Sequence, residues 1–297
     1  VIWNALTVDV EEFFHAENLA RAYPRERWDE IESRVDDPLE RLLEVLRARS
    51  VRATFFVLGW LAERRPWIVR SIASAGHEVA SHGYGHELLT RLDPGSFAAD
   101  VRRATAILTP LAGRRPRGYR APCFTVVAET RWALDVLAEQ GFAYDSSVFP
   151  VHHDRYGDPE APREPHVVDP GRGARIVEAP PATLRALGRN WPVAGGGWLR
   201  LLPWRLCALG IEELNARGAP AVVYLHPWEI DEHQPSHQGA GRLARLRHGI
   251  GTGRLLGKLE RLLDRFSFAP LETVLERMRF LEPASPVVRV REKRSAA

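Results

Sequence analysis

Short apolar runs alternate with amphipathic segments through the first two-thirds of this chain, and nearly every run ends in a polar cluster. That alternation constrains the fold more than any other feature. Ala5 to Val10 is strand-like, and so is Arg52 to Leu58 (RATFFVL), rich in β-branched and aromatic residues. Glu78 to Ser81, Gly118 to Ala121 and Phe142 to Val148 read the same way. The segments between them have a helical period. Asp37-Pro38-Leu39-Glu40 offers an Asp cap, a proline in the first turn and a glutamate three residues after the cap. Leu39, Leu42, Leu43 and Leu46 follow at helical spacing. Pro66 to Ala75 closes at Gly76, and Glu129 to Gln140 stops at Gly141. Phe97, Val101, Ala104 and Leu108 mark a helix between those two. Strand, helix, strand repeated in this way predicts parallel strands joined by helical crossovers.

The pattern breaks at Pro150 to Gly173, a Pro-, Asp-, His- and Gly-rich stretch that reads as a long surface loop. It returns at Ile176 to Ala179 and Ala221 to Leu225, with Gly195-Gly196-Gly197-Trp198 between them. Arg254 to Arg265 and Leu271 to Met278 are amphipathic helices. No repeat or separating linker is visible in the 297 residues. The expected fold is α/β, a distorted (β/α) TIM-like barrel with inserted loops, in a single domain over 1–297. Its core motifs lie in 6–229, and a helical extension covers 250–297.

Composition narrows the function. With 45% hydrophobic and 27% charged residues the chain is globular rather than disordered. No apolar run is long enough for a transmembrane helix. The two cysteines, Cys123 and Cys207, exclude a disulfide scaffold and a four-thiolate zinc site, and are expected as thiols. The pI is near 9.1, but 41 basic residues stand against 38 acidic ones and the arginines are scattered, so no nucleic-acid partner is expected. The basic tail Arg289 to Arg294 reads as a solvated end. The first residues carry no leader, which gives a cytoplasmic expectation, or a peripheral or exported one if a leader was removed. The oligomeric state is not legible.

The polar clusters carry the chemistry. Asp9, Glu11 and Glu12 follow the first strand, His82 and His86 the third, Arg120 the fourth, and His226 the run Val222 to Leu225; Asp145 lies in the fifth. In a parallel barrel the C-terminal strand ends share one mouth, so these residues can converge. In Ser81-His82-Gly83-Tyr84-Gly85-His86 two imidazoles four residues apart can face the same way, and two histidines with one carboxylate form an open metal shell. An HxxxH pair alone is weak evidence. Asp9 and Glu11 share a face of an extended chain, so a base and a ligand can stand side by side; a solvated acidic turn is the plain alternative. His226 is a natural proton donor near neutral pH, or else a satisfied buried histidine. Arg120 can orient a carboxylate, or form a structural ion pair. Trp198, with Gly197 before it, suits a sugar face, and Asp145 and Trp228 complete the candidate substrate contacts.

Together these motifs resemble the polysaccharide deacetylase (NodB-like) family, carbohydrate esterase family four. They run in order as Thr7-Val8-Asp9-Val10-Glu11, Ser81-His82 to His86, Arg120-Ala121-Pro122 and Leu225-His226. Asp145-Ser146-Ser147 and His226-Pro227-Trp228-Glu229 look most like the branch associated with bacterial exopolysaccharide gene clusters. The resemblance implies removal of N-acetyl groups from N-acetylhexosamine units of a glycan, with metal-bound water as nucleophile. The implied metal is divalent: zinc first, with Co2+, Ni2+ or Fe2+ as alternatives. Asp9 matches the family's base, His82 and His86 its metal histidines, Arg120 the arginine that orients the base, and His226 the acid. Cys123 falls where the family uses a backbone N–H for the oxyanion. Val10 stands where the family usually has a second aspartate, so the metal carboxylate is Glu11 by inference, with Glu12 as rival. The family's Asp near a Trp is not evident, and Asp145 is the candidate support for His226. Rival readings are hydrolysis of another C–N bond, as in deformylases or cyclic imidases on this fold, and a non-catalytic carbohydrate binder.

Overall fold

The computed structural model describes residues 1–153, 156–169 and 175–283. The basic tail and part of the predicted loop therefore lie outside the described residues. Seven parallel strands form the body of one sheet. They are β1 (Trp3–Val10), β2 (Thr54–Val57), β3 (Glu78–Ser81), β4 (Gly118–Tyr119), β5 (Tyr144–Asp145), β7 (Ile176–Glu178) and β10 (Val222–Leu225). β6 (His166–Val168) adds to β7 antiparallel, giving the order β10-β1-β2-β3-β4-β5-β7-β6. β11 (Ser267–Ala269) pairs with the first residues of β1, whose last four pair with β2. A hairpin, β8 (Thr183–Ala186) with β9 (Arg189–Pro192), stands apart from the sheet. The helices are α1 (Asp36–Ala48), α2 (Gly59–Arg64), α3 (Pro66–Ser74), α4 (Pro94–Ala112), α5 (Trp132–Glu139), α6 (Gly196–Leu201), α7 (Trp204–Ala216), α8 (Arg242–Gly249), α9 (Thr252–Arg265) and α10 (Leu271–Arg277).

The sheet curls into a distorted half-barrel, as the alternation predicts. β10 and β7 do not pair. Irregular chain crosses the seam instead, through Ala182 N–H to Val222 O at 2.9 Å and Tyr224 N–H to Ala194 O at 3.0 Å. Alternation along β1 sorts its side chains: Leu6, Val8 and Val10 join the outer apolar layer under the helices, while Thr7 and Asp9 turn inward. Leu39, Leu42 and Leu46 bury against that layer, and α4 buries Phe97, Val101, Ala104 and Leu108 at the predicted spacing.

Several expectations change. α1 begins at Asp36, so the predicted Asp37 cap lies inside its first turn; no side chain caps the helix, and Asp36 bonds Arg65. The fifth strand is only two residues long; just beyond it Ser146 N–H still bonds Tyr119 O, and the hydroxyls of Ser146 and Ser147 bond Arg120 and Ala121 N–H. The predicted loop contains β6, a three-residue strand too short to carry a pattern. Residues beyond 250 are not only helical, since β11 enters the sheet beside β1.

At the base of the barrel Glu78 is almost fully enclosed. It accepts hydrogen bonds from Tyr144 Oη at 2.7 Å, from Glu272 N–H at 3.1 Å and from the Thr54 hydroxyl. Burial first, and then the nearby Glu272 carboxylate, push its pKa up to about 7. A folded pKa above the unfolded value means that stability is full below pH ~4.5 and is lost as pH rises through about 7. Thermal midpoints at pH 5 and pH 8 should therefore differ less in Glu78→Gln than in the wild type. The gap should exceed roughly 2 °C, since each kcal/mol moves a chain of this size by roughly 2–4 °C. Equal pH dependence in the two proteins would mean that Glu78 ionises freely.

Candidate active site

Asp9 is the last-but-one residue of β1 and Glu11 follows the strand's end, both nearly inaccessible. β1 lies second from one edge of the sheet, between β10 and β2, and the chains leaving β3, β4 and β10 rise beside its end. The turn after β3 carries His82 and His86. Asp100 from α4 holds this turn by accepting the N–H groups of Tyr84 (2.7 Å) and Gly85 (2.9 Å). Gly83 has φ +72, and a Cβ there would lie 2.8 Å from the Asp100 carboxylate, so the tight turn needs glycine.

One oxygen of Glu11, Oε2, lies 2.6 Å from His86 Nε2 and 3.8 Å from His82 Nε2. Ligand atoms of Glu11, His82 and His86 all fall within 4.8 Å of one another. His82 Nδ1 is 2.8 Å from the Arg120 carbonyl. A carbonyl only accepts, so Nδ1 carries the proton and the Nε2 lone pair faces the cluster. Burial, aided by His86, lowers the His82 pKa to about 4 and keeps the ring neutral. Glu11 Oε2 is buried with no geometrically formed hydrogen bond, although His86 Nε2 stands 2.6 Å away. A buried carboxylate oxygen without a donor, facing two imidazole nitrogens, fits a divalent cation. Burial alone would raise the Glu11 pKa, but His86, His226 and His82 outweigh it and hold the carboxyl well below its usual range. The other oxygen, Oε1, accepts Trp228 Nε1–H at 3.1 Å. Glu12 points elsewhere, and its carboxylate takes the Ser33 hydroxyl and, at 3.0 Å, Arg34 N–H.

Arg120 is fully buried. Nη1 reaches Asp9 Oδ1 at 2.8 Å and Thr7 Oγ1 at 2.7 Å, Nε reaches Ser146 O at 3.0 Å, and Nη2 reaches Ser146 Oγ at 2.8 Å. Its guanidinium carbon stands 4.2 Å over the Phe56 ring. This fixes Asp9 Oδ1 and leaves Oδ2 on the side of His226, 3.8 Å from Nε2. His226 Nε2 is also 3.6 Å from Glu11 Oε1. On the far side of the ring, His226 Nδ1 lies 3.0 Å from Glu229 Oε2, which also accepts the His226 backbone N–H at 3.0 Å. Burial opposes charge on His226, yet Glu229, Glu11 and Asp9 raise its pKa to about 9. Burial would likewise raise Glu229, but Arg200 and then His226 bring it to about 2.

Asp9, Glu11, His82, His86, Cys123 and His226 line one open cavity of about 230 Å³. Phe124, Tyr156, Tyr224, Gly196, Gly197 and Trp228 are among its other walls. A larger hollow of about 630 Å³, bounded by Glu12, Trp28, Trp60 and Arg64, gathers no comparable chemistry. Cys123 holds a left-handed conformation, φ +54, in the turn after Arg120; both Cys123 and Cys207 are thiols.

Two substrate-contact expectations are corrected. Asp145 is fully buried and reaches neither His226 nor the cavity. Its carboxylate takes the Ser147 hydroxyl (2.6 Å) and N–H (3.1 Å), and Ser147 Oγ in turn accepts Ala121 N–H at 2.7 Å, so it braces the Arg120 turn. Trp198 is half-buried in α6 and does not line the cavity, because the helical turn after Gly197 swings it aside. The glycine run before it serves Tyr224, since a Cβ on Gly195 would lie 2.0 Å from that ring. Trp228 lines the cavity; its ring stacks on His226 (5.1 Å) and His248 (4.3 Å), and its N–H holds Glu11. Glu229 is the site residue that the sequence reading missed.

Residues 28–143 match the family model described as "Polysaccharide deacetylase", and residues 146–276 match "Domain of unknown function (DUF3473)". Over 96 residues the chain is 33% identical to a peptidoglycan-N-acetylglucosamine deacetylase of Bacillus cereus, covering 32% of this chain and 35% of that one. A chitooligosaccharide deacetylase of Bradyrhizobium sp. is 37% identical over 98 residues, covering 33% and 42%. The chain thus spans well under half the length of these curated relatives. A Mycobacterium smegmatis protein provisionally assigned as a polysaccharide deacetylase has a crystal structure that superposes with a TM-score of 0.58 at 26% identity, covering 96% of this chain and 94% of that one.

Proposed function

We propose that this chain, which carries a polysaccharide deacetylase (NodB-like) domain, hydrolyses N-acetyl groups of N-acetylhexosamine units in a glycan. The observation that carries the reading is convergence: the Asp9–Arg120 pair, the Glu11–His82–His86 cluster and the His226–Glu229 pair meet in one cavity. The names of the deacetylase relatives support the substrate class.

Glu11, His82 and His86 would hold a divalent cation, zinc in first place from its preference for nitrogen and carboxylate donors. Such an ion supplies Lewis-acid polarisation of the acetyl carbonyl and lowers the pKa of water to ~7. The protein's own groups do the rest. Asp9, fixed through Oδ1 by Arg120, takes the proton of the attacking water on Oδ2. The turn at Cys123 presents backbone to the developing oxyanion. His226, held protonated by Glu229, gives its Nε2 proton to the departing amine. Acetate and a free amino sugar result.

The test is mass spectrometry of N-acetylhexosamine oligomers incubated with zinc-loaded protein, with acetate assayed alongside. Loss of an acetyl group replaced by hydrogen, matched by acetate, is expected. Turnover of a cyclic amide or a formamide, with acetylated oligomers untouched, would overturn the reading in favour of another C–N bond.

A further inference from the structure

Arg200 belongs to none of the sequence motifs. It lies in α6, 5% exposed, and its guanidinium meets four acceptors. Nε donates to Glu229 Oε1 at 2.7 Å. Nη1 donates to the carbonyls of His248 and Ile250, both at 2.7 Å, and Nη2 to that of Arg247 at 3.3 Å. Glu229 itself is fully buried, and its other oxygen takes both His226 donors. Arg200 and His226 thus share one carboxylate, an oxygen each.

We propose that Arg200 is a positioning residue for His226, acting through Glu229: it fixes that carboxylate so that His226 keeps Nδ1–H on Glu229 and turns Nε2 to Asp9 and Glu11. The inference rests on the deacetylase reading for its catalytic consequence. The physical need is plain. An ionised carboxylate is acceptor-only, and here it faces three N–H donors from His226 and Arg200. A carboxylate enclosed without a cation takes up a proton instead, which would set a donor against the His226 donors. The carbonyls of residues 247, 248 and 250 give Arg200 a second, purely structural task at the end of α8. A double-mutant cycle separates the two tasks.

Wild type, Arg200→Met, Arg200→Lys, Glu229→Gln and the Arg200→Met/Glu229→Gln double variant are compared, each checked for fold by circular dichroism and for zinc by elemental analysis. Two substrates are used: an N-acetylglucosamine oligomer, whose amine must be protonated to leave, and 4-nitrophenyl acetate, whose phenolate leaves without a proton. Arg200→Met should lower kcat on the oligomer by roughly 10–100-fold, the scale of a lost supporting contact, with KM and zinc content little changed. Its rate on the aryl acetate should fall far less. Arg200→Lys should recover part of the loss. The double variant should be no slower than Glu229→Gln, and it removes the buried charge that would strain the single variant's fold. Additive losses in the cycle, or equal losses on both substrates, would overturn the proposal and leave Arg200 as a structural latch on α8. The His226 Nδ1–H resonance in 15N-edited NMR, expected in wild type and lost or shifted in Arg200→Met, needs no substrate. If wild type releases no acetate, the deacetylase reading fails while this resonance still decides for or against Arg200; a resonance unmoved in Arg200→Met counts against it.

Discussion

Asp9→Asn is expected to keep its metal and lose kcat by roughly 10²–10⁴-fold, the usual contribution of a positioned base. The side chain is nearly isosteric, so the change removes basicity with little change in shape. Arg120 Nη1 can still donate to an amide oxygen at the place of Oδ1 and still reaches Thr7 Oγ1. The amide nitrogen then faces His226 Nε2, where the wild type has Oδ2 at 3.8 Å, so a proton acceptor becomes a donor. Zinc content should be unchanged, because Asp9 is not in the Glu11, His82, His86 cluster. The substitution also leaves the buried Arg120 without its counter-charge, and a fall in thermal midpoint is expected alongside. Steady-state kinetics on an acetylated oligomer, paired with elemental analysis, decide it. A kcat within about threefold of wild type, well short of the loss expected of a general base, would remove Asp9 from proton transfer; joint loss of zinc would make it a ligand instead.

The sequence disclosed this site to the extent that strand ends disclose position. Parallel strands put their C-terminal ends together, so Asp9, His82, Arg120 and His226 could be grouped before any coordinates. The carboxylate choice stayed open between Glu11 and Glu12: the resemblance favoured Glu11, and both residues lie beyond the end of β1, where a strict period of two no longer decides. In the structure Glu11 faces His86, while Glu12 turns to Ser33 and Arg34.

The partner of His226 was harder, although the signal was present. His226 and Glu229 stand at the i, i+3 spacing of a capping box, and Pro227 starts the short helix Pro227–Ile230 that folds one back on the other. Asp145 drew attention instead because it lies in the fifth predicted strand and heads the Asp145-Ser146-Ser147 segment of the resemblance. Burial decided against it, as its carboxylate is enclosed with Ser147, and enclosure is a property of the packed chain rather than of the local pattern. Trp198 failed for a related reason. An aromatic after glycines suggests a sugar platform, but the direction of one side chain at a helix start depends on where the helix begins. Arg200 has no motif at all, because its partners Glu229 and residues 247–250 meet it only through the tertiary fold.

His82→Ala and Glu11→Gln are expected to lose bound zinc, whereas Glu12→Gln retains it. Contacts that only support a ligand are worth 10–100-fold in metal affinity, so removing a ligand should cost more than about 100-fold. The two variants should differ in character. His82→Ala deletes a donor whose Nε2 lone pair is aimed by the Arg120 carbonyl, and nothing nearby replaces it. Glu11→Gln keeps an amide oxygen of similar reach but removes the charge that opposes the cation, so excess zinc should restore part of the rate. Glu12→Gln loses only a contact to the Ser33 and Arg34 chain and should shift stability more than metal content. Zinc retained after dialysis against a graded series of chelator concentrations ranks the variants without reference to turnover. Circular dichroism shows whether the fold survives, as it should, since the cluster lies at strand ends and not in the apolar layers. Wild-type retention in His82→Ala would remove the imidazole from the shell. Loss confined to Glu12→Gln would mean that the chain leaving β1 is turned by one residue in solution, exchanging the two carboxylates.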